Sequence, residues 1–284
     1  MIEIVQLLIY GVVLGSILAL GAIGVSLTFG ILRFANFSHG DMMTLGAYFA
    51  LLGVWAGLPV LAAGVLAALA TAGSALVIDR AIYRRLRRTQ PVILLIASFG
   101  VALILRSLVQ LIWGGSNQVY TTAIQLPIVV EGIRIKPDQI TIVAGAIVLV
   151  VGLHLFLQRT TIGKAMRAMA DDIDLARISG IDTERVVMWT WVIGAVMAAA
   201  AGVFLGLDTR LHPVMGFRIL LSVFAAAILG GIGKPYGAIA GGFTIGIAEE
   251  MSTLFLNPAY KAAVSFAILV AMLVWRPTGL FGGR

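Results

Sequence analysis

Long uncharged runs of apolar residues dominate the chain and predict helices that span a membrane. The runs lack the alternation of polar and apolar positions that the strands of an outer-membrane barrel require. A helix needs about 20 apolar residues to cross a bilayer. The pattern therefore predicts an all-α, polytopic transmembrane helix bundle of about eight spans. The runs are 4–32, 42–78, 91–105, 139–158, 186–207, 219–233, 235–248 and 262–275.

Glycine and proline interrupt several of these runs and predict broken helices. The Gly-Leu-Pro triplet at 57–59 divides the 42–78 run into two spans. The count is eight or nine, depending on whether 33–57 and 217–233 cross fully or contain a break. We expect a single transmembrane domain over residues 1–284.

Small residues recur four positions apart, which is the spacing that lets helices pack closely in lipid. Helix packing alone accounts for most of the 33 glycines without assigning them a function. The pairs are Gly11 with Gly15, Gly237 with Gly241, and Gly242 with Gly246.

The distribution of basic residues predicts which segments face the cytoplasm. The 79–90 segment holds five arginines, and 159–185 holds five further basic residues, whereas 114–138 has only two. Positively charged loops are retained on the cytoplasmic side. We therefore expect 79–90, 159–186 and the C-terminal tail from Arg276 to Arg284 to be cytoplasmic, and 114–138 to be external.

Composition excludes several classes of protein. With 60% hydrophobic and 12% charged residues and a mean hydropathy of +1.04, the chain cannot cover the surface of a soluble domain. It has no cysteine, and its three histidines lack the spacing of metal ligands, so no metal site is expected. The net charge of +7 lies mainly between apolar runs, which argues against nucleic acid as a partner. No nucleophile is paired with a base, so no catalytic residue and no enzymatic activity is predicted.

The 159–186 segment is amphipathic, unlike the rest of the chain. A helix through it places apolar residues on one face and charged residues on the other, and Gly180 is suited to end it. The apolar positions are Ala165, Met169, Ile173 and Ala176, and the charged ones are Lys164, Arg167, Asp171 and Asp174. Either the helix docks a soluble partner, or it is a solvated loop helix that contacts nothing.

A polar interruption at 36–41 follows the first run. Asn36, Ser38, His39 and Asp41 are costly near a membrane unless they face water, protein or substrate. One interpretation is a helix break that borders a translocation path. The other is an interfacial loop in which Asn36 or Ser38 caps a helix beginning near residues 40–41.

A glycine-rich segment at 230–237 resembles a nucleotide loop only superficially. A Walker A loop needs Ser or Thr after its lysine, and here Pro235 follows Lys234. We predict a helix break at Gly230, Gly231 and Gly233, with Pro235 starting the next helix. The segment therefore offers no nucleotide-binding loop.

Two further features concern the inside of the membrane. The regions 30–48 and 224–242 share a plan of apolar run, polar or glycine break and glycine-rich helix, which hints at internal repeats. Arg106 is expected to pair internally or to extend towards the membrane surface. Glu249 and Glu250 are expected to lie among lipid headgroups.

Four blocks of the sequence, in order along nearly the whole chain, resemble the permeases of branched-chain amino acid ABC importers. The length is similar to that of the shorter of their two permease types. Asp174-Leu175-Ala176-x-x-x-Gly180 is similar to the Glu-Ala-Ala-x-x-x-Gly loop of ABC-importer permeases and departs from it at the acidic residue and the first Ala. The blocks are 27–48 (LTFGILRFANFSHGDMMTLGAY), 167–171 (RAMAD) with 180–181 (GI), 226–238 (AAILGGIGKPYGA) and 276–280 (RPTGL).

The resemblance implies the ABC-importer permease fold, alternating access and a set of partners in a bacterial inner membrane. These are a second related permease, two cytoplasmic ATPases that hold ATP and Mg, and a periplasmic or extracellular substrate-binding protein. This chain itself would bind no cofactor. The residues that contact the ATPases would be Gly163, Arg167, Asp171, Asp174, Ala176 and Gly180.

The substrate and the energy source have alternatives. Leucine, isoleucine and valine follow from the resemblance alone, and related permeases carry urea, short amides or other amino acids. An ion-coupled secondary transporter is the main alternative from another class. It predicts ionisable residues spread through several spans, whereas most charges here lie in loops.

Overall fold

The computed structural model describes residues 2–87, 89–121, 126–276 and 278–282, which form an α-helical bundle. Arg88, Pro277, Gly283 and Arg284, which belong to the predicted cytoplasmic segments, lie outside these residues. The helices are α1 (Ile2–Leu32), α2 (Ser38–Trp55), α3 (Val60–Leu86, with a π-helical turn at Asp79–Tyr83), α4 (Pro91–Trp113), α5 (Pro137–Arg159), α6 (Thr161–Asp171), α7 (Ile173–Ile178), α8 (Thr183–Asp208), α9 (Met215–Gly230), α10 (Pro235–Ser252) and α11 (Lys261–Trp275).

Six of the described helices are long and apolar enough to cross a membrane. They are α1, α3, α4, α5, α8 and the helical stretch Pro258–Trp275 that contains α11. In the same bundle, α2 and α10 are long enough but more polar, and α9 is apolar but shorter. α1 and α8 are mostly buried and form the centre, whereas α3, α4, α5 and α11 present apolar side chains outwards. The predicted all-α polytopic bundle is confirmed.

One end of the bundle carries the segments that were predicted to be cytoplasmic. Arg87 of the 79–87 stretch forms an ion pair of 3.0 Å with Glu184 at the start of α8. The C-terminal segment lies at this end too, because the Leu280 N–H donates to the Leu229 carbonyl at the end of α9. We call this the basic end.

The opposite end carries a two-stranded antiparallel hairpin, β1 (Ile128–Val130) and β2 (Ile133–Ile135). Glu131 and Gly132 form its turn with positive φ angles of 50° and 85°. The Gln6 side-chain amide makes two hydrogen bonds of 2.8 Å with the backbone of Arg134, so the N-terminus lies at this hairpin end.

Two helices begin inside the bundle and cross each other. The chain turns back at the basic end after α1 and starts α2 at Ser38, whereas it turns back at the hairpin end after α8 and starts α9 at Met215. A Cβ atom on Gly216 would lie 1.8 Å from the carbonyl oxygen of Gly40. The Gly216 N–H also donates to Thr44 Oγ1 at 3.0 Å. Only glycine permits so close a crossing.

Helices α1–α4 and α8–α11 form an inverted pair of repeats. α1 packs on α10 as α8 packs on α3, and α2 packs on α4 as α9 packs on α11. The broken helices that correspond are therefore α2 and α9, each with the turn that precedes it. The predicted pairing of 30–48 with 224–242 is wrong. The turn after α1 and the turn at 231–234 between α9 and α10 both lie at the basic end, whereas corresponding breaks of inverted repeats lie at opposite ends.

Glycines join α1 to α10 along much of their length. Cβ atoms on Gly11 and Gly15 would lie 2.8 and 2.9 Å from the Cα atoms of Ile247 and Phe243, and one on Gly242 would lie 2.5 Å from Ala19. The backbones are thus in direct contact, which confirms the expectation from the small-residue spacing.

Candidate functional site

The segment predicted to dock a partner forms two short helices instead of one. α6 ends at Asp171, and Asp172 Oδ1 accepts hydrogen bonds of 2.9 Å from the N–H groups of Asp174 and Leu175. Asp172 is therefore the N-cap of α7. The prediction of a continuous helix is wrong at this residue, because the carboxylate satisfies the first N–H groups of a new helix.

The predicted apolar face of this segment packs on the bundle. Met169 and Ala176 are buried, and Ala165 and Ile173 are partly buried against the core. Gly163 is also buried, and a Cβ atom there would lie 2.4 Å from the Phe156 carbonyl oxygen, so the close turn between α5 and α6 requires glycine.

Gly180 ends α7 in the predicted manner. Its φ is +82°, its N–H donates to the Arg177 carbonyl, and the Ile181 N–H donates to the Ala176 carbonyl. This is the Schellman arrangement, in which a residue with positive φ closes a helix.

The tip of α7 exposes apolar and acidic side chains at the basic end. Leu175 is 58% exposed and Ile178 82%, and the Asp174 side chain is 93% exposed, 3.9 Å from Arg177. Arg167 donates to Gln158, and Asp171 is exposed. Sequence reasoning missed Leu175 and Ile178, although both are apolar residues beside the buried Ala176.

Arg33 connects this segment to the end of α1. Its guanidinium donates to the Ala170 carbonyl at 2.8 Å, at the C-terminal end of α6 where the helix dipole favours a cation. Arg33 has a positive φ of 57° and is the first residue after α1. The contact therefore joins α6 to the turn that leads into α2.

The polar residues at 36–41 are packed inside the protein. α2 begins at Ser38, and Asn36 Oδ1 accepts from the Ser38 N–H at 3.2 Å and from Ser38 Oγ at 2.7 Å. Tyr83 of α3 hydrogen-bonds to the same oxygen, and its ring stacks on Trp191 of α8 at 4.9 Å. The break is buried among other helices, and the predicted cap is present, because Asn36 accepts from the Ser38 N–H at the start of α2.

Two polar atoms in this break have no hydrogen-bond partner in the part of the chain that the structure describes. They are Asn36 Nδ2 and His39 Nε2, and both side chains are buried. The His39 ring contacts α1, because a Cβ atom on Gly24 would lie 2.5 Å from its Cε1. Buried polar groups are nearly always paired, so these two mark a place of imperfect packing.

Asp41 and Arg106 form a buried ion pair. Arg106 donates through Nε to Oδ1 at 3.0 Å and through Nη2 to Oδ2 at 3.1 Å. The guanidinium also lies 4.2 Å from the centre of the Phe217 ring on α9. The expectation that Arg106 pairs internally is confirmed, and the pair links α2, α4 and α9.

The far end of α2 is tied to the hairpin end by Tyr120. This phenol donates to the Ala47 carbonyl at 2.9 Å. Burial raises the pKa of Tyr120 above its ordinary value, so the side chain remains a neutral donor.

The comparisons with known proteins identify the family. The family model for the permease component of branched-chain amino acid transport systems matches residues 7–273. The high-affinity branched-chain amino acid transport system permease protein LivH of Escherichia coli K12 is 36% identical over 98% of this chain and 95% of its own length. BraD of Pseudomonas aeruginosa, another high-affinity branched-chain permease protein, is 33% identical over the same shares.

This chain belongs to the branched-chain amino acid permease family. The family and the six apolar helices make it a multi-pass inner-membrane protein. Its LivH and BraD relatives are transport permeases and not enzymes.

LivM of Escherichia coli, a second permease protein, is 27% identical over 52% of this chain. A chain of the solved structure titled PsaBC from Streptococcus pneumoniae in complex with Fab has the same fold, with a TM-score of 0.55 and 13% identity over 97% of this chain and 92% of that chain.

The glycine segment of this permease forms the predicted turn between α9 and α10. Gly231 and Gly233 have φ angles of +106° and +84°, and α10 begins at Pro235 as predicted. A Cβ atom on Gly230 would lie 2.0 Å from the Gly237 carbonyl oxygen, so glycine is needed there for packing.

The two glutamates near the end of α10 have partners within the permease. Glu249 is 5% exposed and accepts hydrogen bonds from the hydroxyls of Ser222 and Ser265. Glu250 pairs with Lys261 at 2.6 Å. The headgroup prediction is wrong for Glu249, because α9 and α11 supply hydroxyl partners that the sequence of α10 does not reveal. For Glu250 it stays a prediction. Among the described residues, no group of three or more His, Cys, Asp and Glu residues could hold a metal ion.

Proposed function

We propose that this chain is the permease subunit of an ATP-driven importer and forms half of the translocation path for branched-chain or other small amino acids. Its partners are a second related permease, two cytoplasmic ATPases that bind ATP and Mg, and an external substrate-binding protein. The chain itself carries out no chemistry. The permease family of the chain supports this proposal.

The observation that carries the proposal is the exposed tip of α7. Leu175 and Ile178 are apolar and exposed at the basic end, which the positive-inside rule assigns to the cytoplasm. Apolar side chains that extend from a charged surface into water favour a partner that covers them. We assign this contact to the ATPase, with Asp174 and Arg177 beside it as polar contacts.

Two connections can carry a movement of α6 and α7 into the bundle. The first runs from the Ala170 carbonyl to Arg33, which begins the turn before α2. The second runs from Glu184 at the start of α8 to Arg87, which also binds Asp79 with distances of 2.6 and 2.7 Å. Tyr83, in the same turn as Asp79, contacts the Asn36 and Ser38 break.

The break at 36–41 is suited to change its packing during transport. Asn36 Nδ2 and His39 Nε2 are buried without a hydrogen-bond partner among the described residues, so this arrangement of the break is not fully stabilised. A displaced α2 would also move Gly40 relative to Gly216 and so move α9. We propose that these two broken helices border the path.

Reconstitution in proteoliposomes tests the proposal. The permease pair, the ATPases and the loaded binding protein should take up L-leucine only when ATP is supplied, and an ion gradient should not replace ATP. Ile178→Asp should abolish binding of the ATPases and uptake, whereas Ile178→Leu should retain both. Uptake without ATPases would support an ion-coupled transporter instead.

A further inference from the structure

A polar cavity of about 750 Å³ opens near the hairpin end of the bundle. Its lining comes from the end of α8, the start of α9, the end of α10, the start of α11 and the connections that precede α5, α9 and α11. The size falls within the roughly 300–1,000 Å³ of small-molecule sites. Its charged residues include Lys136, Asp208, Arg210, Arg218, Glu249 and Lys261.

Glu249 lines this cavity, on a helix that packs against the membrane-spanning α1. Phe243 of the same helix packs on Gly15 near the middle of α1. Glu249 is six residues further along, or about 9 Å towards the hairpin end. A carboxylate at this depth and 5% exposed is costly unless a cation or strong donors face it.

The protein supplies Glu249 with hydroxyls and not with a cation. Ser222 and Ser265 both donate to Oε1, so the carboxylate is held by neutral groups. Lys261, the basic residue on the same wall, is bound to Glu250 at 2.6 Å. Among the described residues, no Lys, Arg or His side chain lies within ion-pair distance of Glu249. The cavity therefore presents a carboxylate that is held in position and lacks a positive partner.

A positive charge, opposite to that of Glu249, lines the same cavity at the start of α9. Arg218 is exposed and lies in the first turn of this helix. The N–H groups of Val214, Met215 and Gly216 already have acceptors within the protein, so the guanidinium is the group that can donate to an anion here. No carboxylate of the described residues forms an ion pair with it. One cavity thus combines a buried acceptor for a cation with an accessible donor for an anion.

We infer that this cavity binds the α-amino acid zwitterion, with Glu249 accepting the ammonium group and Arg218 donating to the carboxylate. The inference rests on the proposed function and adds a substrate site inside the permease. Because α9 starts at this cavity, an occupied site is adjacent to the crossing of α9 with α2. A neutral substrate such as urea would have no use for this pair of charges.

Protection of an introduced thiol tests the site, because the chain has no cysteine. Ala262 is exposed and lines the cavity, whereas Leu256 is exposed near the same end outside it. The complete transporter in nanodiscs, without the binding protein, is labelled with a membrane-impermeant maleimide. We expect millimolar L-leucine to slow labelling of the Ala262→Cys variant at least fivefold and to leave the Leu256→Cys variant unaffected.

Two controls test whether protection from labelling depends on the charges of the ligand and of the cavity. The 2-oxo analogue of leucine, 4-methyl-2-oxopentanoate, lacks the ammonium group and should give no protection. Protection should be lost when Glu249→Gln is added to Ala262→Cys, and also when Arg218→Gln is added. Arg218 is exposed, so that variant remains informative if Glu249→Gln does not fold. Glu3→Gln, an exposed glutamate at the same end, should retain full protection.

The site is refuted if leucine gives no protection in nanodiscs to a transporter that performs ATP-driven uptake when it is reconstituted in proteoliposomes. It is also refuted if the 2-oxo acid protects equally or if both charge variants keep protection. Each of these results leaves the proposed function standing. Failure of the proposed function is seen separately, as a wild-type transporter that takes up no amino acid with ATP.

Discussion

Arg106 of α4 binds both carboxylate oxygens of Asp41 on α2, at 3.0 and 3.1 Å, inside the helix bundle. The Asp41 side chain has no exposed surface. Removing one member of such a pair leaves an uncompensated buried charge, which costs about 3–5 kcal/mol. Arg106→Gln should therefore lower the thermal unfolding midpoint in detergent strongly, and Asp41→Asn with Arg106→Gln should lower it less than Arg106→Gln alone.

A matched control for this pair is Arg80→Gln. Arg80 is exposed on α3, and substitutions of exposed side chains usually change stability by no more than about 0.5 kcal/mol. If the effects of Asp41→Asn and Arg106→Gln were additive, the two side chains would not stabilise each other.

The crossing of the broken helices predicts a glycine that tolerates no side chain. Gly216→Ala would place a methyl group 1.8 Å from the backbone oxygen of Gly40, which cannot move away as a flexible side chain could. We expect little folded protein by fluorescence-detected size exclusion. Gly152→Ala in α5 meets nothing within 4 Å and should express as well as wild type. Normal folding of Gly216→Ala would show that α2 and α9 do not cross as described.

Substitution of Gly180, which ends α7, should affect transport without affecting membrane insertion. Gly180→Pro is incompatible with a φ of +82°, because proline fixes φ near −65°, and it removes the N–H that donates to Arg177. We expect uptake to be lost and membrane insertion to be retained. Gly180→Asn, which tolerates positive φ, should keep substantial uptake.

Charge reversal at α7 examines the surface contact separately from helix geometry. Asp174 is almost fully exposed and its side chain caps no helix, so Asp174→Lys should fold normally. We expect it to weaken ATPase binding at least tenfold in a pull-down and to reduce uptake in proportion. Unchanged binding would remove Asp174 from the ATPase contact.

Loss of the hydrogen bond from Arg33 to α6 should uncouple ATP hydrolysis from transport. Arg33→Gln should shorten the side chain enough to lose the Ala170 carbonyl while the helices remain folded. ATP hydrolysis should continue, and the number of leucine molecules imported per ATP should fall at least fivefold. Arg33→Lys should retain part of the coupling, and Arg85→Gln, which alters an exposed arginine nearby, should retain all of it. Full coupling in Arg33→Gln would exclude this route.

The sequence alone was sufficient to predict the helix bundle, because lipid requires long apolar helices whatever their neighbours are. It was insufficient for contacts between distant helices, which depend on tertiary packing. Asp41 and Arg106 are 65 residues apart, and Glu249 is buried only because Ser222 and Ser265 come from other helices. The break at Asp172 was missed because 171–174 contains three aspartates, and composition does not decide which one caps a helix.

The backbone contact between α1 and α10 has a mechanical consequence. Where Gly11 and Gly15 lie directly against Ile247 and Phe243, no side chain separates the two helices. Such surfaces interlock, so one helix cannot slide along the other without first moving apart from it. α1 and α10 should therefore keep their relative position as a fixed frame in both the inward-open and outward-open states, while α2 and α9 move against it.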